Sequence, residues 1–354
     1  ALRRPPAPLL LGALGLYILA TALTLLVAAH PAAAARETLK WIEYALMFVA
    51  AYSCYALDRD DTAIVRTVAI AAIIVSGSAL VQEVAGAPSG LYIGAAIVPR
   101  IAGLLEGPNQ LSAYCTIAIA TLGAGALVRR TMLLDLALGL TVCADVLTFS
   151  RAGIVALAIV VAVIVLWGGR RAWPGLKAAA VGAIAGACGT IWWAIYAHTP
   201  GVLRISLAPS AYAGGVGNRD ELWRAAWRMF RDRPLLGVGA GNYELELPEY
   251  GAYGVRTHAN SWYLQSLAEG GIVLFAATIA LAGATVGAFV QRPLVQRLRA
   301  QRPWVAAALA ASLALACHQI VDDLVFYPKV GGAWWLLLGI AAAAVANRPA
   351  SVAS

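Results

Sequence analysis

Apolar residues come in blocks along this chain. Runs near 9–29, 41–57, 63–85, 109–128, 131–149, 152–168, 176–197, 260–290, 303–325 and 330–346 are poor in charge, and crossing a bilayer takes about 20 residues of helix. Each run is predicted to be a helix, because backbone facing lipid must satisfy its own hydrogen bonds. Two connections break the rhythm. The stretch 86–107 is apolar but punctuated by Pro88, Gly90, Gly94, Pro99 and Gly103, which predicts a re-entrant or interfacial loop. The stretch 198–258 is long and polar, and its last part, rich in glycine and tyrosine, runs straight into the apolar block that begins at Trp262. The pattern predicts an all-α polytopic membrane bundle. It forms one transmembrane domain over 1–354, with 198–258 inserted between helices as a loop.

The basic residues orient that bundle. Of 26 Lys and Arg, seven lie in 198–258 and five in the other outer loops (Arg36, Lys40, Arg100, Arg151 and Lys329), leaving fourteen on the opposite side. Basic residues collect in short cytoplasmic loops, whereas long loops cross largely regardless of charge. The N-terminus is therefore expected in the cytoplasm and the long loop on the outer side.

Composition agrees with this class. Hydrophobic residues make up 61% and charged residues 12% of the chain, against roughly 45–50% and about 25% in a soluble domain. The net charge of +8 then serves as a topology signal, and no nucleic-acid partner is expected. Cys54, Cys115, Cys143, Cys188 and Cys317 stand singly, without a CxxC pair, so neither a zinc site nor a disulfide framework is expected.

Within the long loop, residues 218–230 read NRDELWRAAWRMF. Asn218 at the N-cap and Glu221 three residues on make a capping-box pattern. Leu222, Trp223, Ala226, Trp227 and Phe230 recur at helical spacing, predicting an amphipathic helix that lies on the membrane surface or the bundle. At about 100° per residue, Arg224, Arg228 and Arg231 point away from that stripe while Arg219 falls in its centre. A cation there, in the first turn, gains nothing from the helix dipole. An anionic partner would account for it.

Four outward-facing features carry candidate chemistry. His258, one of four histidines, precedes an apolar helix, a position that favours the neutral imidazole. Arg151 sits in the very short turn 148–153, where snorkelling to headgroups is the rival explanation. Arg100 and Asn109 flank a Pro108 that could simply start a helix. His318 and Asp322, four apart near the end of an apolar run, are expected to share a helix face, and polar pairs at membrane depth are costly enough to be functional by default. Gln265 and Glu269 are expected on the face of His258, turned toward the bundle interior. The run Gly237-Val-Gly239-Ala-Gly241 lacks the strand and βαβ unit of a dinucleotide site. It leaves open a backbone nest for an anion.

The segments RIAGLLEGPNQLSAY, TFSRAGIVAL, NRDELWRAAWRMFRDRPLLGVGAGNY, THANSWYLQSLAEGGIVL and HQIVDDLVFYPKVGGAWWLLLG, in this order, resemble the bacterial O-antigen ligase and polymerase superfamily over roughly residues 95–340. The resemblance implies a GT-C-like bundle of about ten to twelve membrane helices. It implies an inverting, metal-independent glycosyltransferase without cofactor, in the bacterial inner membrane with its site facing the periplasm. Such an enzyme passes a glycan from undecaprenyl diphosphate to an acceptor hydroxyl. Lipid A–core is the acceptor of a ligase and another lipid-linked glycan that of a polymerase. A protein hydroxyl is a third possibility, and a lipid or solute transporter is the alternative of a different class. By the resemblance, His258, Arg151, Arg219 and Asp322 are catalytic. Arg100, Asn109, Trp223, Arg224, Asn260, Gln265 and His318 are the candidate substrate contacts. The family's Asn-Pro-Asn stands here as Gly107-Pro108-Asn109.

Overall fold

The computed structural model describes residues 8–85, 91–93, 96–98, 100–196, 219–252, 256–290 and 303–346. Outside the described residues lie the helix cap expected at Asn218, the breakers Pro88, Gly90, Gly94 and Pro99, and the basic residues Arg3, Arg4, Arg292, Arg297, Arg299, Arg302 and Arg348. In chain order the long elements are α1 (Pro8–Leu23), α2 (Pro31–Leu57), α3 (Asp61–Val84), α4 (Pro108–Val128), α5 (Met132–Leu147), α6 (Arg151–Gly168), α7 (Trp173–Tyr196), α8 (Arg219–Asp232), α9 (Trp262–Val290), α10 (Pro303–His318) and α11 (Pro328–Ala346). Every apolar block became a helix. Among the described residues the departure from an all-helical chain is an antiparallel hairpin, β1 (Leu91–Ile93) with β2 (Ala96–Val98), pairing Leu91 with Val98 and Ile93 with Ala96.

This is a polytopic helical membrane protein. Six segments among the described residues are long and apolar enough to cross a bilayer: Pro8–Leu26, Asp61–Val84, Pro108–Val128, Arg151–Trp192, Trp262–Val290 and Pro328–Ala346. The fourth, at 42 residues, joins α6 to α7. Helix α2 is long enough but carries Arg36, Glu37, Lys40 and Glu43 in its first half. Helices α5 and α10 have 16 residues each, or about 24 Å of rise. At the centre stand α4 and α10, apolar and buried nearly all round, as helices surrounded by other helices must be. Helix α4 packs on α3, α5, α6 and α10, while α11 packs on α2 and α1 on α9. Gly182 on α7 and Gly339 on α11 sit where a Cβ would strike the carbonyls of Gly139 and Phe48, the small-residue contact that lets membrane helices approach closely.

Several boundaries differ from the sequence pattern. Helix α2 starts at Pro31, so Arg36 and Lys40 belong to a helix and not to a loop. Helix α10 stops at His318 instead of continuing to 325, because the carbonyls of Gln319 and Asp322 turn to accept the N–H of Trp262 at 3.1 and 3.0 Å. Helix α9 is broken at Gly271 (φ 56, ψ −154). The segment 234–239 fills that break: Ile272 N–H donates to Pro234 O at 2.9 Å, and Val238 and Gly239 N–H donate to Ala268 and Glu269 O at 3.0 and 2.8 Å. Irregular backbone at membrane depth persists only where protein satisfies it.

Helix α8 rests on α9, with Leu222, Ala225, Ala226 and Met229 buried and Trp227 half exposed. The buried face is thus turned by about 80° from the aromatic stripe at roughly 100° per residue. Small Ala225 and Ala226 admit the close contact, and the bulky Trp227–Phe230 pair, 5.3 Å between ring centroids, is left on the flank. Arg219 sits at the edge of the buried face, not at its centre.

Candidate functional site

One end of the bundle gathers almost all of the candidate residues. There α4, α6, α9 and α11 begin and α5 and α10 end, with the start of α8 beside them. Helix N-termini present unpaired N–H groups and a partial positive charge, and the ends of α5 and α10 present carbonyls of the opposite sign, so the side chains decide the charge of this end.

Arg151 opens α6, directly after the short turn from α5. Ser150 caps α6 by accepting from Gly153 N–H at 3.2 Å, and Thr148 Oγ1 donates to Asp145 O at 2.6 Å. Phe149 is held at φ 52, a backbone region that bulky residues avoid and that marks strain where it occurs. Asp145 is itself buried in α5 and accepts from Ser112 Oγ at 2.6 Å. Its signal in the sequence is a lone acid in an apolar run.

Arg100 is fixed from two sides. Its Nε donates to Thr148 O at 2.6 Å and its Nη2 to Asn109 Oδ1 at 2.9 Å. Asn109, second residue of α4, in turn donates Nδ2 to Asp322 Oδ2 at 2.6 Å. Asp322 also accepts from Asp323 N–H at 2.8 Å. The result is a chain Asp322–Asn109–Arg100 that aims a guanidinium across the site. Burial pulls Arg100 down to about 10, Asp322 opposes this, and the neighbouring cations Arg219 and Arg151 add to it. It stays charged at neutral pH. Arg100 therefore feels both Arg151 and Arg219, which brings three cations from distant parts of the chain to one place.

His258 is buried in the turn before α9, not on the helix. The shared face with Gln265 and Glu269 does not exist. Gln265 instead reaches back, accepting Ala259 N–H at 2.7 Å and donating to Glu269 at 2.7 Å, so its amide is committed to holding the turn. Asn260 adopts φ 50, a left-handed conformation that Asn tolerates. There its backbone N–H donates to His258 Nδ1 at 3.1 Å. Because a backbone N–H can only donate, Nδ1 is the acceptor and the proton of the neutral ring sits on Nε2. Nε2 lies 3.1 Å from Tyr327 Oη and 3.8 Å from Asp322 Oδ1, the latter too long for a hydrogen bond. Burial lowers the pKa of His258 and Arg219 lowers it further, against Asp322 and Glu244.

His318 and Asp322 do not form the expected pair. Helix α10 ends at His318, so Asp322 lies in the following turn and spends its oxygens on Asn109 and Asp323. His318 is buried, with Nδ1 lacking a hydrogen-bond partner among the described residues. Arg219 is exposed at the first position of α8, Arg224 is exposed on the far side, and Trp223 is half-buried between them. The glycine run is not open to a ligand. Gly241 and Tyr243 donate their backbone N–H groups to the buried carboxyl group of Glu269; the group in this nest belongs to the chain. Among the described residues no cluster of three His, Cys, Asp or Glu could hold a metal ion.

Residues 136–279 match the family model described as O-antigen ligase. That stretch belongs to the O-antigen ligase and polymerase superfamily. No curated protein matches the chain. Members of the O-antigen ligase family are glycosyltransferase-like enzymes, and the matched part contains Arg151, Arg219, His258, Asn260 and Gln265. The other half of the site, Arg100, Asn109, Asp322 and Tyr327, comes from outside the match and is joined to it by the hydrogen bonds above. Tyr327 is not among the residues that the sequence pattern singles out. A tyrosine immediately before the proline that opens an apolar helix was its one signal.

Proposed function

We propose that the protein is a metal-independent, inverting glycosyltransferase of the periplasmic face of the bacterial inner membrane. It passes a glycan from undecaprenyl diphosphate to an acceptor hydroxyl, in the first instance as an O-antigen ligase acting on lipid A–core. The convergence of Arg100, Arg151 and Arg219 beside a neutral His258, where four helices begin, carries this reading. A lipid-anchored diphosphate is the substrate group that such a charge pattern suits. The orientation is supported by the basic residues: Arg36, Lys40, Arg100, Arg151 and Lys329 fall at the site end, and Arg59, Arg66, Arg129, Arg130, Arg170, Arg171 and Lys177 at the other.

The acceptor oxygen attacks the anomeric carbon opposite the diphosphate, and the bond to the phosphate oxygen breaks with its electron pair on that oxygen. Attack from the opposite face keeps the hydroxyl proton out of direct reach of the leaving oxygen, so the proton passes to solvent water at the outer end of the bundle, and the diphosphate departs ionised, its second pKa lying near about 6. Arg151 and Arg219 stabilise the developing charge, and Arg100 is held ready by Asn109 and Asp322. His258 orients and does not deprotonate, because its free lone pair is already taken by Asn260.

A polymerase would use the same site with a second lipid-linked glycan as acceptor, and a protein O-oligosaccharyltransferase a protein hydroxyl. A transporter would call for paired broken helices; the break in α9 is filled by the loop 234–239. Purified protein in proteoliposomes, given undecaprenyl-diphosphate-linked O-antigen with lipid A–core or alone, decides by mass spectrometry of the products. Glycosylated lipid A–core means ligase, and a lengthened lipid-linked glycan means polymerase. No transfer in either mixture would overturn the transferase reading in both forms.

A further inference from the structure

We propose that Tyr327 is a catalytic residue that donates a hydrogen bond from its phenol to the departing diphosphate, with His258 and Gln110 as positioning residues behind it. The proposal rests on the transferase reading above. Tyr327 is pinned at the start of α11: its carbonyl accepts from Val330 and Gly331 N–H at 3.1 and 3.0 Å, and its own N–H donates to Leu324 O at 3.3 Å. Its side chain is half-buried at the site end of the bundle.

A phenol carries one hydrogen to donate and two lone pairs to accept. His258, locked as the Nε2–H tautomer by Asn260, donates to Tyr327 Oη at 3.1 Å. The buried side-chain amide of Gln110 donates to the same oxygen. With both lone pairs filled, the phenol hydrogen is the member of this set left for an outside partner. Asp322 is not that partner: its carboxylate bonds Asn109 and Asp323, and among the described residues no hydrogen bond joins it to Tyr327 Oη. A row of groups that each donate outward must end on an acceptor. The nucleophilic hydroxyl, which has to shed its proton, is the wrong end for it, and the leaving oxygen, which gains an electron pair, is the right one. Burial, then Asp322 and Asp323, raises the phenol pKa, so the group remains a donor over the whole working pH range. Each bond polarises the next, and the last strengthens as the bond from the anomeric carbon to the phosphate oxygen breaks, without the phenol giving up its proton.

The test uses the full chain in proteoliposomes with undecaprenyl-diphosphate-linked O-antigen, with and without lipid A–core. Tyr327→Phe is expected to lower kcat about a hundredfold, the scale for removing one donor to developing charge. KM for the donor should stay within about twofold, because the contact forms in the transition state. A second set replaces Tyr327 with fluorotyrosines of rising acidity, which keep the shape of the ring and should raise kcat in step with donor strength at a pH where all stay protonated. Unchanged kcat in Tyr327→Phe overturns the proposal. So does a loss in Tyr327→Phe without any trend among the fluorotyrosines, which would leave Tyr327 a prop for His258. Absence of transfer by the wild-type chain in both mixtures removes the ligase and polymerase readings on which the proposal rests, and the proposal with them.

Discussion

The backbone N–H of Asn260 donates to Nδ1 of His258 at 3.1 Å. The bond fixes the proton of the neutral ring on Nε2, so the ring can give a hydrogen bond into the site but has no lone pair to receive a proton from it. Protonating Nδ1 would set two N–H groups against each other. Glutamine can place an N–H near the position of Nε2, whereas asparagine cannot reach it. His258→Gln is therefore expected to keep about a tenth of the wild-type kcat and His258→Asn to lose at least about a hundredfold, on the scale of one lost donor. Equal and complete loss in both would restore His258 as a general base. In histidine-labelled protein, nitrogen NMR should report His258 with an unprotonated Nδ1 at pH 7.

Asn109 and Asp322 act as one device on Arg100, through bonds of 2.9 and 2.6 Å. Residues in one hydrogen-bond network do not give additive losses. Asn109→Ala and Asp322→Ala should each reduce turnover by about tenfold to a hundredfold, and the double variant by no more than the worse single. Losses that multiply would show that the two residues act separately.

Arg219 and Arg224 sit on one helix, but only Arg219 is felt electrostatically by His258 and Arg100. Losing a charge-assisted contact to a partly desolvated phosphate should cost about 2–5 kcal/mol, at least about thirtyfold in turnover efficiency, so Arg219→Ala should lose most transfer. Arg224→Ala should retain most of it, an exposed charge being worth less than about 1 kcal/mol. Arg219→Lys should recover only partly, because an ammonium lacks the guanidinium fork. An Arg224-specific loss at matched protein levels would reverse the assignment.

Asp323 titrates out of its usual range. Burial raises its carboxyl from 3.8 to about 7, Lys40 opposes this, and Glu37 and Asp322 add to it. The folded state keeps the proton that the unfolded chain releases above 3.8, so this group's contribution to stability falls as pH rises from about 4 to about 7 and is constant beyond. Asp323→Asn removes that dependence. Its thermal midpoint in detergent should exceed that of the wild type at pH 8 and approach it at pH 4.5. A variant less stable at pH 8 would mean that the carboxylate is ionised and paired in the folded protein.

The helices were legible because each apolar block is a local property, and a bilayer leaves such a block little choice but to fold as a helix. His258 was legible too, as a rare imidazole at the end of a polar loop, and Arg219 as a cation among aromatics. What lay beyond the sequence depends on partners far away along the chain. The aromatic stripe of α8 suggested the wrong buried face, since the face that buries is chosen by how closely α9 can approach, and small Ala225 and Ala226 win over Trp227. The end of α10 at His318 depends on Trp262 needing the carbonyls of Gln319 and Asp322. Asn109 meets Asp322 across 213 positions, and Tyr327 meets His258 across 69. No periodicity encodes such pairs, because hydrogen bonds between separate turns exist only once packing has brought the helix ends to the same end of the bundle.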